Sequence, residues 1–282
     1  INQLMSYFKE FSKDNIIVMS APSGARKMKQ DHPQLPLTVK ELADCAESLV
    51  DTGVSVLHLH VRDNTYRHTL DVNTYQNAIK AIKERIGDNL ILQITTESVG
   101  VYTSQQQIEL VKTLKPEAVS LALQEICPDK ASELNISKFF RWLRRERIWP
   151  QYILYCEDDL IRFNDMRKRG IFCNDYPFCL FVLGRYSESL NGDLSELESF
   201  LKKMNHDDFP WAVCCFGKNE HSAMVYATEV GGHVRIGFEN NLYLSDGVLA
   251  KNNVELIKQY CSSIQSLERK PANADKIRHE FL

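Results

Sequence analysis

Two histidines separated by a single residue, His58 and His60, lie in Val54-Ser55-Val56-Leu57-His58-Leu59-His60-Val61-Arg62-Asp63, a run rich in valine and leucine. Side chains of a strand alternate between its faces, so both imidazoles project from the same side. Two neutral imidazoles that close together can take two corners of a zinc site, and a third protein ligand with one open position makes such a site catalytic rather than structural. The same spacing serves two core histidines satisfied by hydrogen bonds, so the pair carries chemistry only with a third ligand. Glu239 is the candidate. It closes the apolar run His233-Val234-Arg235-Ile236-Gly237-Phe238-Glu239, in which Arg235 and Glu239 share a face by period two. A glutamate and an arginine buried inside an apolar strand are costly unless they are paired or bind a metal.

Bringing residue 239 to residue 58 requires a fold whose last strand returns beside its first. The chain alternates short apolar runs with longer amphipathic ones. Strands are expected at Ile16–Ser20, Val54–Asp63, Leu90–Thr96, Ala118–Leu123, Tyr152–Tyr155, Phe178–Leu183, Trp211–Phe216 and His233–Glu239. Helices are expected from Thr38, where Thr38 and Glu41 have capping-box spacing, to a stop at Gly53, and then at 73–86, 104–114, 138–147, 158–168, 195–204, 220–230 and 248–267. Strands each followed by a helix are repeated βα units and hence parallel, and their apolar character on both sides fits a sheet covered on both faces. A count of eight favours a closed (β/α)8 TIM barrel over an open sheet, and no GxGxxG follows the first strand. The expectation is one barrel domain over residues 1–282, with a short N-terminal helical extension and a C-terminal tail.

Chemistry in such a barrel belongs at the C-terminal ends of the strands, and polar residues collect there. The first strand offers Ser20 and Ser23, the second His58, His60 and Arg62, the third Thr95, Thr96 and Glu97, the fourth Gln124 and Glu125, and the eighth Arg235, Glu239 and Asn240. The other histidines, His32, His68, His206, His221, His233 and His279, have no ligand-like companions in sequence. Arg141–Arg147 alternates arginines with a tryptophan at helical spacing and reads as the outer face of a helix.

Composition sets outer bounds. The chain has 282 residues, 44% of them hydrophobic, enough for one large core. A net charge of −3 gives no reason to expect nucleic acid or an anionic membrane as partner. No apolar run approaches the roughly 18 residues of a spanning helix, and INQLMSYFKE is too polar for a secretion signal. The eight cysteines lack CxxC pairing and lie partly in apolar runs such as Trp211–Phe216, as reduced thiols of a cytoplasmic protein would.

The segments SAPSGARKMKQDHPQLPLT, HLHVRD, LQITTE, KPEAVSLAL, FVLG, WAVCCFG, GGHVRIGFENNLY and RKPANADKIRHEFL together resemble the 3-keto-5-aminohexanoate cleavage enzymes, also called β-keto acid cleavage enzymes, from about Ile16 to Leu282. The resemblance implies a zinc-dependent (β/α)8 barrel, oligomeric and with a tetramer favoured, that condenses a β-keto acid with acetyl-CoA to give acetoacetate and a new acyl-CoA. It implies His58, His60 and Glu239 as ligands of zinc or a similar divalent ion, Arg235 beside them, and Thr95 at the place of a catalytic hydroxyl. Zinc would polarise the keto carbonyl so that a carbanion of acetyl-CoA adds to it. Arg235 can hold a carboxylate in a fork, and Thr95 can hydrogen-bond the oxygen where charge develops. Ser23, Arg26, Thr96 and Glu97 would then face the substrate.

Four positions depart from the best-known members. Arg26 replaces a glutamate that meets the substrate's amino group, which argues for a neutral or anionic tail. Asn240 replaces an aspartate, and an amide cannot serve as general base. Ile153 stands where a supporting glutamate is common, and Glu125 where a threonine is common. Glu125, and behind it Glu97, are the acids that could take over the base. A different HxH zinc barrel enzyme, such as a metal-dependent hydrolase, and a silent ligand-binding member of the family are the alternatives.

Overall fold

A computed structural model describes residues 2–173, 176–204 and 209–282, with side chains from residue 8 onward. The expected strands form: β1 (Val18–Ser20), β2 (Val56–Leu59), β3 (Ile91–Thr95), β4 (Ala118–Ala122), β5 (Trp149–Leu154), β6 (Phe178–Leu183), β7 (Trp211–Cys215) and β8 (His233–Ile236). Each pairs in parallel with the next, and β8 pairs with β1 through Arg235 opposite Met19, which closes the TIM barrel. Around it run α1 (Asn2–Asp14), α2 (Val39–Leu49), α3 (Val72–Ile86), α4 (Ser104–Leu114), α5 (Leu123–Ile126), α6 (Glu133–Arg145), α7 (Glu157–Lys168), α8 (Leu194–Lys203), α9 (Glu220–Glu229), α10 (Asn253–Ser263) and α11 (Ala274–Phe281).

Two apolar layers follow from strands covered on both faces. Leu57, Leu92, Ile94, Val119 and Leu121 pack outward against helix residues such as Leu42, Ala46, Tyr75 and Ile82. Met19, Val56, Ile91, Ile153, Leu180, Val182 and Cys214 fill the interior. Residues of α2 show the helical logic: Leu42, Ala43, Ala46 and Leu49 are buried on one face, and the capping box of Thr38 and Glu41 is present.

Differences from the sequence expectation have local causes. The expected helix from 248 to 267 is shortened to α10, because Leu244 and Ala250 donate to the carbonyls of Val248 and Leu242 in a small hairpin and Asn252 caps the helix through the Glu255 amide. The helix expected at 138–147 instead spans Glu133–Arg145. The histidine strand breaks at His60, and Val61–Arg62 turns away to pair antiparallel with His68–Thr69. The last strand stops at Ile236, so Glu239 stands on a turn, where the amides of Asn240 and Asn241 both donate to the Gly237 carbonyl. The basic tail is ordered: Lys270–Pro271 pairs in parallel with Asn15–Ile16. The eight cysteines are free thiols, and no described helix is long and apolar enough to cross a membrane.

The N-terminal face of the barrel is sealed by both ends of the chain. Phe11 meets Phe281 edge-on with centroids 5.4 Å apart, and Phe281 stacks on Trp149 at 5.2 Å. Buried Arg269 donates to the carbonyls of Ser12 (2.6 Å), Asn15 (3.1 Å), Thr228 (2.7 Å) and Gly232 (2.9 Å), so its charge is solvated by backbone in place of water. A cavity of about 240 Å³ opens at the other face, over the C-terminal strand ends.

Candidate active site

His58, His60 and Glu239 meet at the cavity floor, each offering one ligand atom within 4.8 Å of the others. His60 Nε2 lies 2.8 Å from Glu239 Oε1, His58 Nε2 lies 3.7 Å from Oε2, and the two Nε2 atoms face each other at 3.2 Å. Behind His58, Nδ1 donates to Gln93 Oε1 at 2.7 Å, and Gln93 in turn bonds Gln151. That bond places the His58 proton on Nδ1 and leaves the Nε2 lone pair pointing at the cluster, as a metal-ligating imidazole requires. Burial pushes His58 down to about 3, so the ring is neutral at ordinary pH. Ligands about 2.0 Å from a tetrahedral ion stand about 3.3 Å apart, and the facing Nε2 atoms fit that spacing. Two imidazoles and a carboxylate suit zinc or a similar divalent ion.

Arg235, on β8, completes the cluster. Its Nη2 is 3.3 Å from Glu239 Oε2 and 3.3 Å from Cys214 Sγ. Burial opposes ionisation of Glu239, but Arg235 and the two imidazoles outweigh it and hold the carboxyl well below its ordinary range. Buried polar atoms with no hydrogen bond among the described residues concentrate here: Ser20 Oγ, Ser23 Oγ, His60 Nδ1, Arg235 Nε and Nη1, Glu239 Oε2 and both amide atoms of Asn240. Each such atom costs about 1–3 kcal/mol in an apolar interior, and those on residues that line the cavity, Ser23, Arg235 and Glu239, mark a place built for a polar ligand.

The turn bearing Glu239 is held from several sides. Its amide donates to the Ala21 carbonyl at 3.1 Å, and its own carbonyl accepts from Lys27 Nζ at 2.7 Å. The Phe238 amide donates to Asn253 Oδ1, and buried Glu220 accepts from the Gly237 amide and from Asn241 Nδ2. Burial pushes the Glu220 carboxyl up to about 8 against those two bonds. Arg62 does the same for the loop after β1, donating from Nη2 to the carbonyls of Gly24 (2.7 Å) and Lys27 (3.0 Å). Gly24, at φ +67, leaves room for Glu239: a Cβ there would sit 2.7 Å from Glu239 Cγ. Gly24→Ala is therefore expected to cost about 1–3 kcal/mol in urea unfolding through backbone strain and a displaced carboxylate. An unchanged midpoint would mean that the loop relaxes freely.

Most of the residues singled out in the sequence line the cavity: Ser23, Arg26, Thr95, Thr96, Glu97, Glu125 and Arg235 join the three candidate ligands. Thr95 Oγ1 accepts from the Glu97 amide, and Thr96 Oγ1 donates to the Ser120 carbonyl. Arg26 Nη1 lies 2.7 Å from Glu97 Oε1, so the cation at this position is neutralised by a neighbour. Glu125, on α5, accepts from the Ser98 amide at 3.0 Å and from Gln107 Nε2 at 2.9 Å, and burial raises its carboxyl. Asn240 is buried but does not line the cavity.

Sequence reading missed Gln93, Lys27, Glu220 and Asn253, and Tyr155, which lines the cavity beside Ile153. Gln93 alone left a signal: it shares the inward face of β3 with Thr95 by period two. His68, read as lacking companions, packs its ring 5.4 Å from His60 and bonds the Glu97 carbonyl. His233 and His32 are satisfied structurally, by Ser12 with the Ile17 amide and by the Ala250 carbonyl with the Gln34 amide, and His206 lies outside the described residues.

Comparison with known proteins gives a consistent result. The model of the beta-keto acid cleavage enzyme family matches residues 15–281. The 3-keto-5-aminohexanoate cleavage enzyme of Fusobacterium nucleatum subsp. nucleatum is 30% identical over 94% of this chain and 97% of its own length. The 3-oxoadipate:acetyl-CoA acetyltransferase of Cupriavidus necator is 22% identical over 93% of each chain. Among solved structures, apo ObcA superposes with a TM-score of 0.69 at 14% identity over 88% of this chain, which spans 65% of the ObcA chain, and this likeness concerns the fold.

Proposed function

This chain belongs to the beta-keto acid cleavage enzyme family, and from that membership we propose that it exchanges acyl groups between a β-keto acid and acetyl-CoA, releasing acetoacetate and a new acyl-CoA. The observation that carries the reading is the trio of facing ligand atoms beside an arginine with unused donors: His58, His60 and Glu239 under Arg235. Those three side chains would hold a divalent ion, zinc suiting them best, which supplies Lewis-acid polarisation of the keto oxygen when bound. Arg235 Nε and Nη1, on opposite edges of the guanidinium, each keep an unpaired donor, and either can take a substrate carboxylate oxygen. Ser23 Oγ, buried and unpaired at the cavity wall, adds a hydroxyl donor.

Atom balance decides which carbon becomes the nucleophile. Acetoacetate can form only if the carbon between carboxylate and keto group of the β-keto acid becomes bonded to the acetyl carbonyl carbon. That carbon's bond to the keto carbon breaks, and the thiolate of CoA moves from the acetyl group to the released acyl half. The proton removed is therefore one from the keto acid, and the carbanion of acetyl-CoA that the sequence analysis expected would give other products. Glu125 is the acid this reading assigns to that proton: the carboxyl of Glu97 is engaged by Arg26, whereas Glu125 is bonded at Oε1 only. Thr95, lining the same cavity, would hydrogen-bond the substrate oxygen that gains charge.

The test is acetyl-CoA-dependent release of acetoacetate from a panel of β-keto acids by metal-loaded protein. Turnover with at least one member is expected. Binding without turnover across the panel would favour a silent family member, and hydrolysis without CoA a different zinc enzyme.

A further inference from the structure

We infer that the tail of the β-keto acid is uncharged and apolar, seated on Ala122, Ile153, Val182 and Phe216; this rests on the reading of the site as a β-keto acid site. The closed order of strands puts β4 and β5 across the barrel from β8 and β1. The polar pole of the cavity, with Arg235, Glu239 and Ser23, belongs to β8, β1 and the loops that follow them, with the histidines beside it on β2. Facing it, the last inward positions of β4, β5 and β6 are Ala122, Ile153 and Val182, and the residue after β7 is Phe216. A substrate whose carboxylate is held by Arg235 and whose keto oxygen lies at the histidine cluster must send its remaining chain toward these four side chains, which carry no polar atom, with Ser120, Glu125, Tyr155 and Arg185 bordering them.

The charged groups around that region do not provide a counter-charge. Arg26 and Glu97 neutralise each other at 2.7 Å. Glu125 is held by Ser98 and Gln107, Asp31 accepts from the Met28 amide, and Lys27 is committed to the Glu239 carbonyl. Arg185 lies over the Tyr186 ring, 5.4 Å from its centroid. The Arg26–Glu97 pair thus removes the anionic tail that a lone arginine at this position suggested, and Glu125, whose Oε2 is left open by its two bonds at Oε1, is assigned to proton removal and not to a cationic tail. An alkyl tail loses only water there.

The experiment compares kcat/KM of the metal-loaded chain for 3-oxopentanoate, 3-oxohexanoate and 3-oxoheptanoate with that for 3-oxoadipate and 5-amino-3-oxohexanoate, acetyl-CoA being held constant. Each methylene is expected to raise kcat/KM about fourfold until the wall is filled, and the charged tails to fall about 30-fold or more below the best alkyl one. Ile153→Ala should flatten the methylene increment and move the optimum to a longer tail. Ligand-induced rise in Tm, read on the same panel without acetyl-CoA, ranks the tails independently of turnover. An alkyl-first ranking in Tm with no acetoacetate from any acid would sink the functional reading and leave the tail assignment standing. Either charged acid matching or exceeding the alkyl acids, in rate or in Tm shift, would overturn the tail assignment.

Discussion

His60→Ala is expected to strip bound metal from the purified protein and to abolish acetyl-CoA-dependent turnover while the barrel remains folded. The imidazole contributes one of three ligand atoms, and its Nε2 lies within 3.2 Å of both His58 Nε2 and Glu239 Oε1. Removing a partner behind a ligand already costs about 10–100-fold in metal affinity, so removing the ligand should cost more. The fold should survive because His60 sits at the break between β2 and the antiparallel pair, and among the described residues its ring makes no hydrogen bond beyond the cluster itself. Metal per chain by elemental analysis and the far-ultraviolet circular dichroism spectrum read the two parts separately. Full metal content in the double variant His58→Ala, His60→Ala would end the metal-site reading.

The second large effect concerns proton removal. Glu125→Gln is expected to lower turnover by about 10²–10⁴-fold with metal content intact, the usual worth of a positioned general base. The amide oxygen of glutamine can still accept from Ser98 and Gln107, so the loop geometry is retained and the loss reads chemistry. Burial raises the Glu125 carboxyl above its ordinary 4.5, which brings a base closer to neutral pH. A base works when deprotonated, so kcat of the wild type should rise with pH through that elevated value, and the variant should lose this acid limb. Glu97→Gln should cost far less, since its carboxylate serves Arg26. A fully active Glu125→Gln together with a faster Asn240→Asp would return the base to position 240.

How far the sequence could be read depended on periodicity. Period two carried His58, His60 and Arg235 to the right face, and the βα alternation carried closure of the barrel, because both are repeated local signals. It failed at Glu239, which was placed on the strand although β8 ends three residues earlier. The carboxylate still arrives at the cluster because the turn is fixed by Glu220, Asn253, Lys27 and the Ala21 carbonyl, contacts between residues from 15 to more than 200 positions apart. Long-range contacts leave no pattern in one sequence. The Arg26–Glu97 pair, 71 positions apart, was invisible for the same reason, and with it the neutralised charge at the cavity mouth.

The seal on the N-terminal face bears on the order in which the chain is threaded. Asn15–Ile16 and Lys270–Pro271 are neighbours in one small sheet, and Arg269 grips carbonyls from residues 12 and 15 as well as from 228 and 232. The first and last units of the barrel are thus joined without a covalent link, on the face opposite the cavity. The circle of strands is closed by the ladder between β8 and β1, and the small sheet with Arg269 clasps that same junction a second time from outside the barrel.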